Sequence, residues 1–436
     1  MELERHYAAA AARLPGAFAD HVARFFDGGG FPTARDEDWR HSTPEVLTRV
    51  GFEPFAAAPR TAGNGAGAAA ALAGTAARFR FGPTELAAAR SWVNGGSVPW
   101  PGPVAENRES LFRIGPLAGD AAVDSASEGA GAAWLRQPLD LMNRAFRHGG
   151  AEVRVPRGRD AGALLLFSAR TPSAPRAQML HPRFRIVLEP GSAATVVEVH
   201  AGDAGDGGWT NPTTEGRIGA DARLDYLRVD LETGGIVHTG RSTFRLERGA
   251  RLRSTVLALG AGISRSDASV VLAGEGAEAD LNGLFLGLGQ GVADQHTLAI
   301  HAAPRAVSRQ LYKSVLADAS CAIFDGKVVV APGAVGTDAS QANRNLLLSE
   351  EARVHTRPRL EILNDDVKCA HGAAIGRLDE NALFYLRSRG LGRMDAREML
   401  VAGFAGEVIR NLPSAAAREL AESGLAAIRA TGNWTA

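Results

Sequence analysis

Cysteine is nearly absent: only Cys321 and Cys369 occur in 436 residues. Two thiols cannot build a disulfide framework, and they suit a reducing compartment where they stay available for redox or metal chemistry. Net charge is also lacking, since 48 Lys and Arg balance 48 Asp and Glu. With no field of one sign to draw in nucleic acid or an anionic membrane, the expected partner is a protein. Long apolar runs are missing too. Stretches such as Ala163-Leu164-Leu165-Leu166-Phe167 fall far short of the ~20 residues that cross a bilayer. Met1-Glu2-Leu3-Glu4-Arg5 carries acids where a secretory signal needs a basic start. The expectation is a cytosolic protein without a transmembrane segment.

Familiar catalytic signatures are absent as well. No Gly-x-x-x-x-Gly-Lys-Ser/Thr loop occurs, so any ATPase would be a partner rather than this chain. The glycines of Gly283-Leu284-Phe285-Leu286-Gly287-Leu288-Gly289-Gln290-Gly291 miss the dinucleotide register and have no helix after them; they read as packing glycines. Neither a Gly-x-Ser-x-Gly elbow nor a His-Glu-x-x-His pair appears.

What is present is a chain, 45% hydrophobic, able to bury a large core in two or three domains. Leu3, Tyr7, Ala10, Leu14, Phe18, Val22 and Phe25 recur at helical spacing, predicting a helical N-terminal region over 1–55 with Trp39 anchoring a second element. Residues 56–75, almost all Ala and Gly, read as a linker. A mixed α/β segment follows over 76–150, with a helix from about Ala133 to His148. Over 151–372 the texture is mainly β. Phe184, Ile186 and Leu188 fall on one face and Arg183, Arg185 and Val187 on the other.

Similar corners recur there at uneven intervals: Glu189-Pro190-Gly191-Ser192-Ala193, Glu247-Arg248-Gly249-Ala250, Glu275-Gly276-Ala277-Glu278, Asp318-Ala319-Ser320 and Ser349-Glu350-Glu351-Ala352. Recurrent corners without a fixed period favour a parallel β-helix, whose rungs need similar turns but not equal lengths; a large β-sandwich is the competing fold. After Gly376 the period becomes helical, predicting a C-terminal domain over 373–436 of three short helices. Asp379, Asp395 and Ser414 are their expected N-terminal caps. Their exposed faces are natural docking surfaces.

In the segment Asp365-Asp366-Val367-Lys368-Cys369-Ala370-His371-Gly372, strand alternation puts Cys369 and His371 side by side on one face. A thiolate and an imidazole suit iron, zinc or copper(I), and a stable site needs two more ligands. Cys321 and His355 are candidates within the chain; a partner subunit is the other source. A bare Cys-x-His is more often a small buried thiol beside a hydrogen-bonded histidine.

The blocks around that segment shift the reading. Phe324-Asp325-Gly326-Lys327-Val328, Thr337-Asp338-Ala339-Ser340-Gln341-Ala342-Asn343-Arg344-Asn345, Pro358-Arg359-Leu360-Glu361-Ile362 and Leu378-Asp379-Glu380 ahead of Phe384-Tyr385-Leu386-Arg387 follow in order with Asp365 to Ala373. This run resembles the SufB/SufD family of iron-sulfur cluster assembly scaffolds. His371-Gly372-Ala373, where SufB-type chains tend to carry His-Glu-Ala, is similar to the SufD side. The resemblance implies a right-handed parallel β-helix between helical N- and C-terminal regions. It also implies a SufB heterodimer and SufC ATPase docked on the C-terminal helices, while a homodimer stays open for the isolated chain. Further, it implies a non-catalytic scaffold with no stably bound cofactor, Cys369 and His371 serving as transient iron or cluster ligands at the SufB interface. Two other readings stand beside it: a polysaccharide-acting β-helix enzyme, which would need clustered carboxylates in a cleft, and a purely structural partner of SufB with no ligand role.

Overall fold

The computed structural model describes residues 39, 41, 53–54, 86–93, 96–99, 111–115, 117, 138–147, 149–170, 178–203, 207–233, 235–260 and 262–430. The expected N-terminal helix and the 56–75 linker lie outside them. Two long sheets run side by side, and successive strands alternate between them. In the first sheet the order ends in Ile263–Leu272, Val292–His301, Cys321–Val330 and Arg353–Ile362; in the second it ends in Glu278–Gly287, Val307–Leu316, Thr337–Leu347 and Val367–Gly376. Every neighbour along both runs is parallel, until antiparallel partners appear at the opposite end: Arg113–Gly115 against Gly150–Val155, and Gly96–Val98 against Leu86–Val93. This is a parallel β-solenoid, as the alternation and the corners predict. Its turns are unequal: Val237 pairs with Ile263, twenty-six residues on, and Cys321 with Arg353, thirty-two on.

The corners leading from the first sheet to the second form a column of left-handed residues: Gly158, Gly191, Asp221, Gly249, Gly276, Arg305 and Gly336, with φ between 56 and 70°. Each backbone N–H donates to a carbonyl in the next corner, as in Gly191 N–H to Ala220 O at 2.8 Å and Gly276 N–H to Pro304 O at 3.0 Å. Glycine suits this conformation because it has no Cβ to clash. Of the glycines in 283–291, two pack as expected: a Cβ on Gly283 would lie 2.4 Å from the Tyr312 ring, and one on Gly287 2.7 Å from Leu316; Gly289 instead has open space and a left-handed φ of 59°.

One face of each strand points into the lumen, where Phe184, Ile186, Leu224, Tyr226, Phe244, Leu281, Phe324 and Val328 form a continuous apolar column. Each such side chain contributes about 1.5–3 kcal/mol on burial. The lumen is not wholly apolar. Glu198, His200, Arg228, Asp230, Glu232 and His238 are all buried in it. His200 Nε2 meets Glu198 at 2.7 Å, His238 Nδ1 meets Glu232 at 2.7 Å, and Tyr226 donates to Glu198 at 2.8 Å. Burial alone would raise the Glu198 carboxyl, but the bond and charge of His200 pull it below its ordinary range.

His301, also fully buried, has its pKa pushed down to about 4 by burial, against the opposing pull of Ala306 and Asp338. Its unfolded counterpart protonates near 6.5, so the unfolded chain binds the extra proton between those values. This contribution is complete above about pH 6.5, falls by about 3 kcal/mol as pH drops to about 4, and then levels off. Denaturation midpoints for His301→Gln should lose that part of the pH dependence; an unchanged slope would contradict the assignment.

The outer face of the second sheet is covered by the C-terminal helices α3 (Arg393–Ile409) and α4 (Ala415–Ala430), with α2 (Glu380–Ser388) packed on α3; the numbering follows α1 (Pro138–Ala145). Val401, Ala405, Val408, Ala417 and Ile428 join Val229, Leu257, Leu284, Val315 and Leu346 in a second core. Asp379 caps α2 by accepting from Asn381 N at 2.8 Å, and Ser414 Oγ accepts from Ala417 N at 3.1 Å ahead of α4. Asp395 is no cap: Gly392 holds that position, and Asp395 lies inside the first turn of α3, where its charge opposes the helix dipole's positive end. Lys313 ties α3 down, donating to the Phe404 carbonyl at 2.8 Å and pairing with Glu407 at 2.5 Å.

Candidate functional site

The two ends of the solenoid differ. Strands Arg353–Ile362 and Val367–Gly376 finish the two sheets, and each has one neighbour only among the described residues. Their outer edges present unpaired backbone groups, a template for another strand. Exposure is high there: Ile362, Leu363 and Ile375 stand open at 40, 54 and 50%.

Cys369 and His371 lie on the last strand of the second sheet, opposite Ala339 and Gln341 of the strand beneath. Cys369 is half-buried and packs on the lumen cluster. Alternation then sets His371 on the same lumen-facing side, in a position exposed because no rung lies above it. The expected pairing of thiol and imidazole on one face is what the strand produces. Burial pushes the Cys369 thiol up, the backbone bond at Ala339 lowers it, and Asp338 adds a smaller upward push. The thiol is therefore a weak nucleophile alone and a better ligand once a cation sits beside it.

Cys321 and His355 are elsewhere. Both occupy the first sheet with the parity opposite to Phe324, Val328 and Leu360, which face the lumen, so they sit on its outer face. His355 stacks on His41 with ring centroids 4.2 Å apart. No group of three or more His, Cys, Asp or Glu able to hold a metal ion occurs among the described residues. Two ligands at the mouth of the lumen can hold iron or a cluster only with further ligands from beyond the described residues.

Sequence reasoning missed two neighbours of this rim. Asp325 receives both Arg357 and Arg359 on the outer face of the last rungs, while the guanidiniums stay about a third exposed. Further back on that face Trp39 covers Arg265, 3.7 Å from ring centroid to guanidinium carbon; the second N-terminal element it is expected to anchor lies outside the described residues. In the lumen, Gln341 lies directly beneath His371. Only knowledge of strand register could have brought these residues together.

Comparison with known proteins follows the same outline. The family described as SUF system FeS cluster assembly, SufBD core domain, matches residues 170–404. The iron-sulfur cluster assembly protein SufD of Escherichia coli is 34% identical over 60% of this chain and 62% of its own length. An iron-sulfur cluster assembly SufBD family protein of Synechocystis is 31% identical over 63% of this chain and 62% of its own. SufD of Bacillus subtilis is 29% identical over 63% of each. The matched stretches thus span less than two thirds of each relative's length. No helix among the described residues is long and apolar enough to cross a membrane. Because the matched stretch runs from the end of strand Asp160–Arg170 into α3 and so takes in most of the solenoid, sequence and architecture agree, and the chain belongs to the SufBD family of SUF-system iron-sulfur cluster assembly proteins.

Proposed function

We propose that this chain is a non-catalytic scaffold whose open rim pairs with a SufB-type solenoid and whose C-terminal helices dock a SufC-type ATPase. Cys369 and His371 then serve as half of a transient iron or cluster site at the rim, and the cluster is cargo rather than a resident cofactor. The observation that carries this is the coincidence of two free strand edges with the Cys-x-His pair at one end of the lumen. A second solenoid meeting that rim edge to edge would continue both sheets and bring its own side chains over the exposed imidazole. In isolation the same rim would pair with a second copy of this chain.

Support for the ATPase surface comes from the helices. Phe384 and Tyr385 on α2 are exposed at 72 and 56%, and Met394 and Met399 on α3 add apolar area. Large apolar side chains left this exposed on neighbouring helices are candidates for an interaction surface. Lys313 and Glu407 link α3 to strand Val307–Leu316, so a pull on the helices reaches the sheet that ends in His371.

Co-expression with SufB-type and SufC-type subunits, followed by affinity purification on this chain, tests the reading. The Phe384→Ala/Tyr385→Ala variant should lose the ATPase subunit by about tenfold or more while keeping the solenoid partner. Retention of both subunits at wild-type ratio would remove the helices from the docking surface.

A further inference from the structure

The polar column beneath His371 points to an inference that rests on, and deepens, the ligand reading above. Three consecutive rungs of the second sheet place Gln310, Gln341 and His371 in register. Gln310 and Gln341 are each 2% exposed and face the lumen. Thr297, from the first sheet, donates to Gln310 Oε1 at 2.7 Å, and Gln341 Nε2 donates to the same oxygen at 3.0 Å. A Cβ on Gly326 would lie 2.1 Å from Gln341 Nε2, so the missing side chain at Gly326 is what lets this carboxamide reach across the lumen. The amide nitrogen of Gln341 is thereby committed to the rung below. Its carbonyl oxygen, Oε1, is buried and has no partner among the described residues.

A buried carbonyl without a donor costs about 1–3 kcal/mol, and such a group in a folded protein asks for an explanation. The next side chain on the same column is His371, one strand spacing away, about 4.8 Å along the hydrogen-bonding direction. That is within reach of a ring N–H turned toward the carboxamide. Histidines that ligate metals commonly donate their second ring N–H to such an acceptor, which fixes the tautomer and aims the free nitrogen.

We propose that Gln341 is a positioning residue for His371: its Oε1 accepts one ring N–H and leaves the other ring nitrogen, unprotonated, aimed out of the open rim. The Gln310 and Thr297 bonds hold the carboxamide in the orientation that makes this possible.

The test uses the full chain without iron, labelled with ¹⁵N in the histidine rings, at a pH well above the ordinary imidazole range. The His371 signals are identified as those lost in His371→Gln. In the wild type they should show one dominant tautomer. In Gln341→Leu they should move toward a mixture, and in Gln341→Glu, which keeps an acceptor, they should return toward the wild-type pattern. Thermal melting of each variant shows that the solenoid is intact, and Gln341→Met gives a second carbonyl-free variant if the leucine fails to fold. A dominant tautomer that persists in the carbonyl-free variants overturns the proposal. Iron content of the assembled complex reads the underlying ligand role separately: a locked tautomer with unchanged iron in His371→Ala would leave the positioning intact and remove the ligand.

Discussion

Replacing Arg228 with methionine is expected to destabilise the solenoid by about 3–5 kcal/mol, the cost of leaving buried charge without its counter-charge. Arg228 is fully buried among Glu198, Asp230 and Glu232, which are exposed by 1% or less. Its Nε lies 3.3 Å from Asp230 Oδ1, and His238 Nε2 approaches the same oxygen at 3.2 Å. Without the guanidinium, Glu198, Asp230 and Glu232 lose the cation nearest Asp230, and His200, His238 and the Arg170 guanidinium beside Glu232 are left to balance three buried carboxylates. Burial lowers the Arg228 pKa, but the Asp230 carboxylate, with Tyr226, Glu198 and Tyr312, outweighs it and holds the pKa raised, so the charge is firmly present. Adding Asp230→Leu to Arg228→Met removes the pair together and should recover most of the loss, since an apolar replacement of matched size is often neutral. Chemical denaturation midpoints of the two variants decide this. Equal midpoints for single and double variants would show that the pair is not the unit that matters.

The second large effect concerns the rim. Ile375→Arg with Leu363→Arg places two charges where the free strands expose apolar side chains. Because both positions are open to solvent, thermal stability should change by no more than about 0.5 kcal/mol. Pairing with a SufB-type solenoid should weaken by about 2–3 kcal/mol, roughly 30- to 150-fold in Kd, the scale of an interface hot spot. Sedimentation or titration of purified subunits reads the difference. Unaltered pairing would move the interface away from Arg353–Ile362 and Val367–Gly376.

Much of this fold is legible in the sequence because a solenoid is built from local rules. Alternation in Arg183–Leu188 separates lumen from exterior, and Gly191, Gly249 and Gly276 mark corners that need a left-handed residue. Asp221 and Arg305 adopt the same conformation without glycine. Those corners are invisible to composition, since the hydrogen bonds between stacked turns outweigh the local preference of a single residue. Polar residues inside the lumen are likewise hidden. Glu198, Arg228 and Asp230 alternate as a solvated face would, and it is the closing of the two sheets, which brings the His200 and His238 rings within 5.4 Å, that buries them together.

The site divides in the same way. Cys369 and His371 share a face because two residues on one strand always do. Cys321 and His355 were drawn in as further candidates by residue type, yet their parity puts them on the far side of the first sheet. Turns that differ by several residues, such as twenty-six from Val237 to Ile263 and thirty-three from Gly150 to Arg183, leave the register between rungs unspecified by sequence alone, which is also why Gln341 beneath His371 was not foreseen.

The most direct test of the scaffold account is the iron and acid-labile sulfide content of the complex between this chain and SufB-type and SufC-type subunits, prepared anaerobically. The account predicts that a Cys369→Ala/His371→Ala variant assembles in wild-type proportion but loses most of the bound iron and sulfide, with His371→Ala alone giving the larger share of the loss. Full iron and sulfide in the assembled double variant would contradict it, leaving this chain a structural partner with no ligand role.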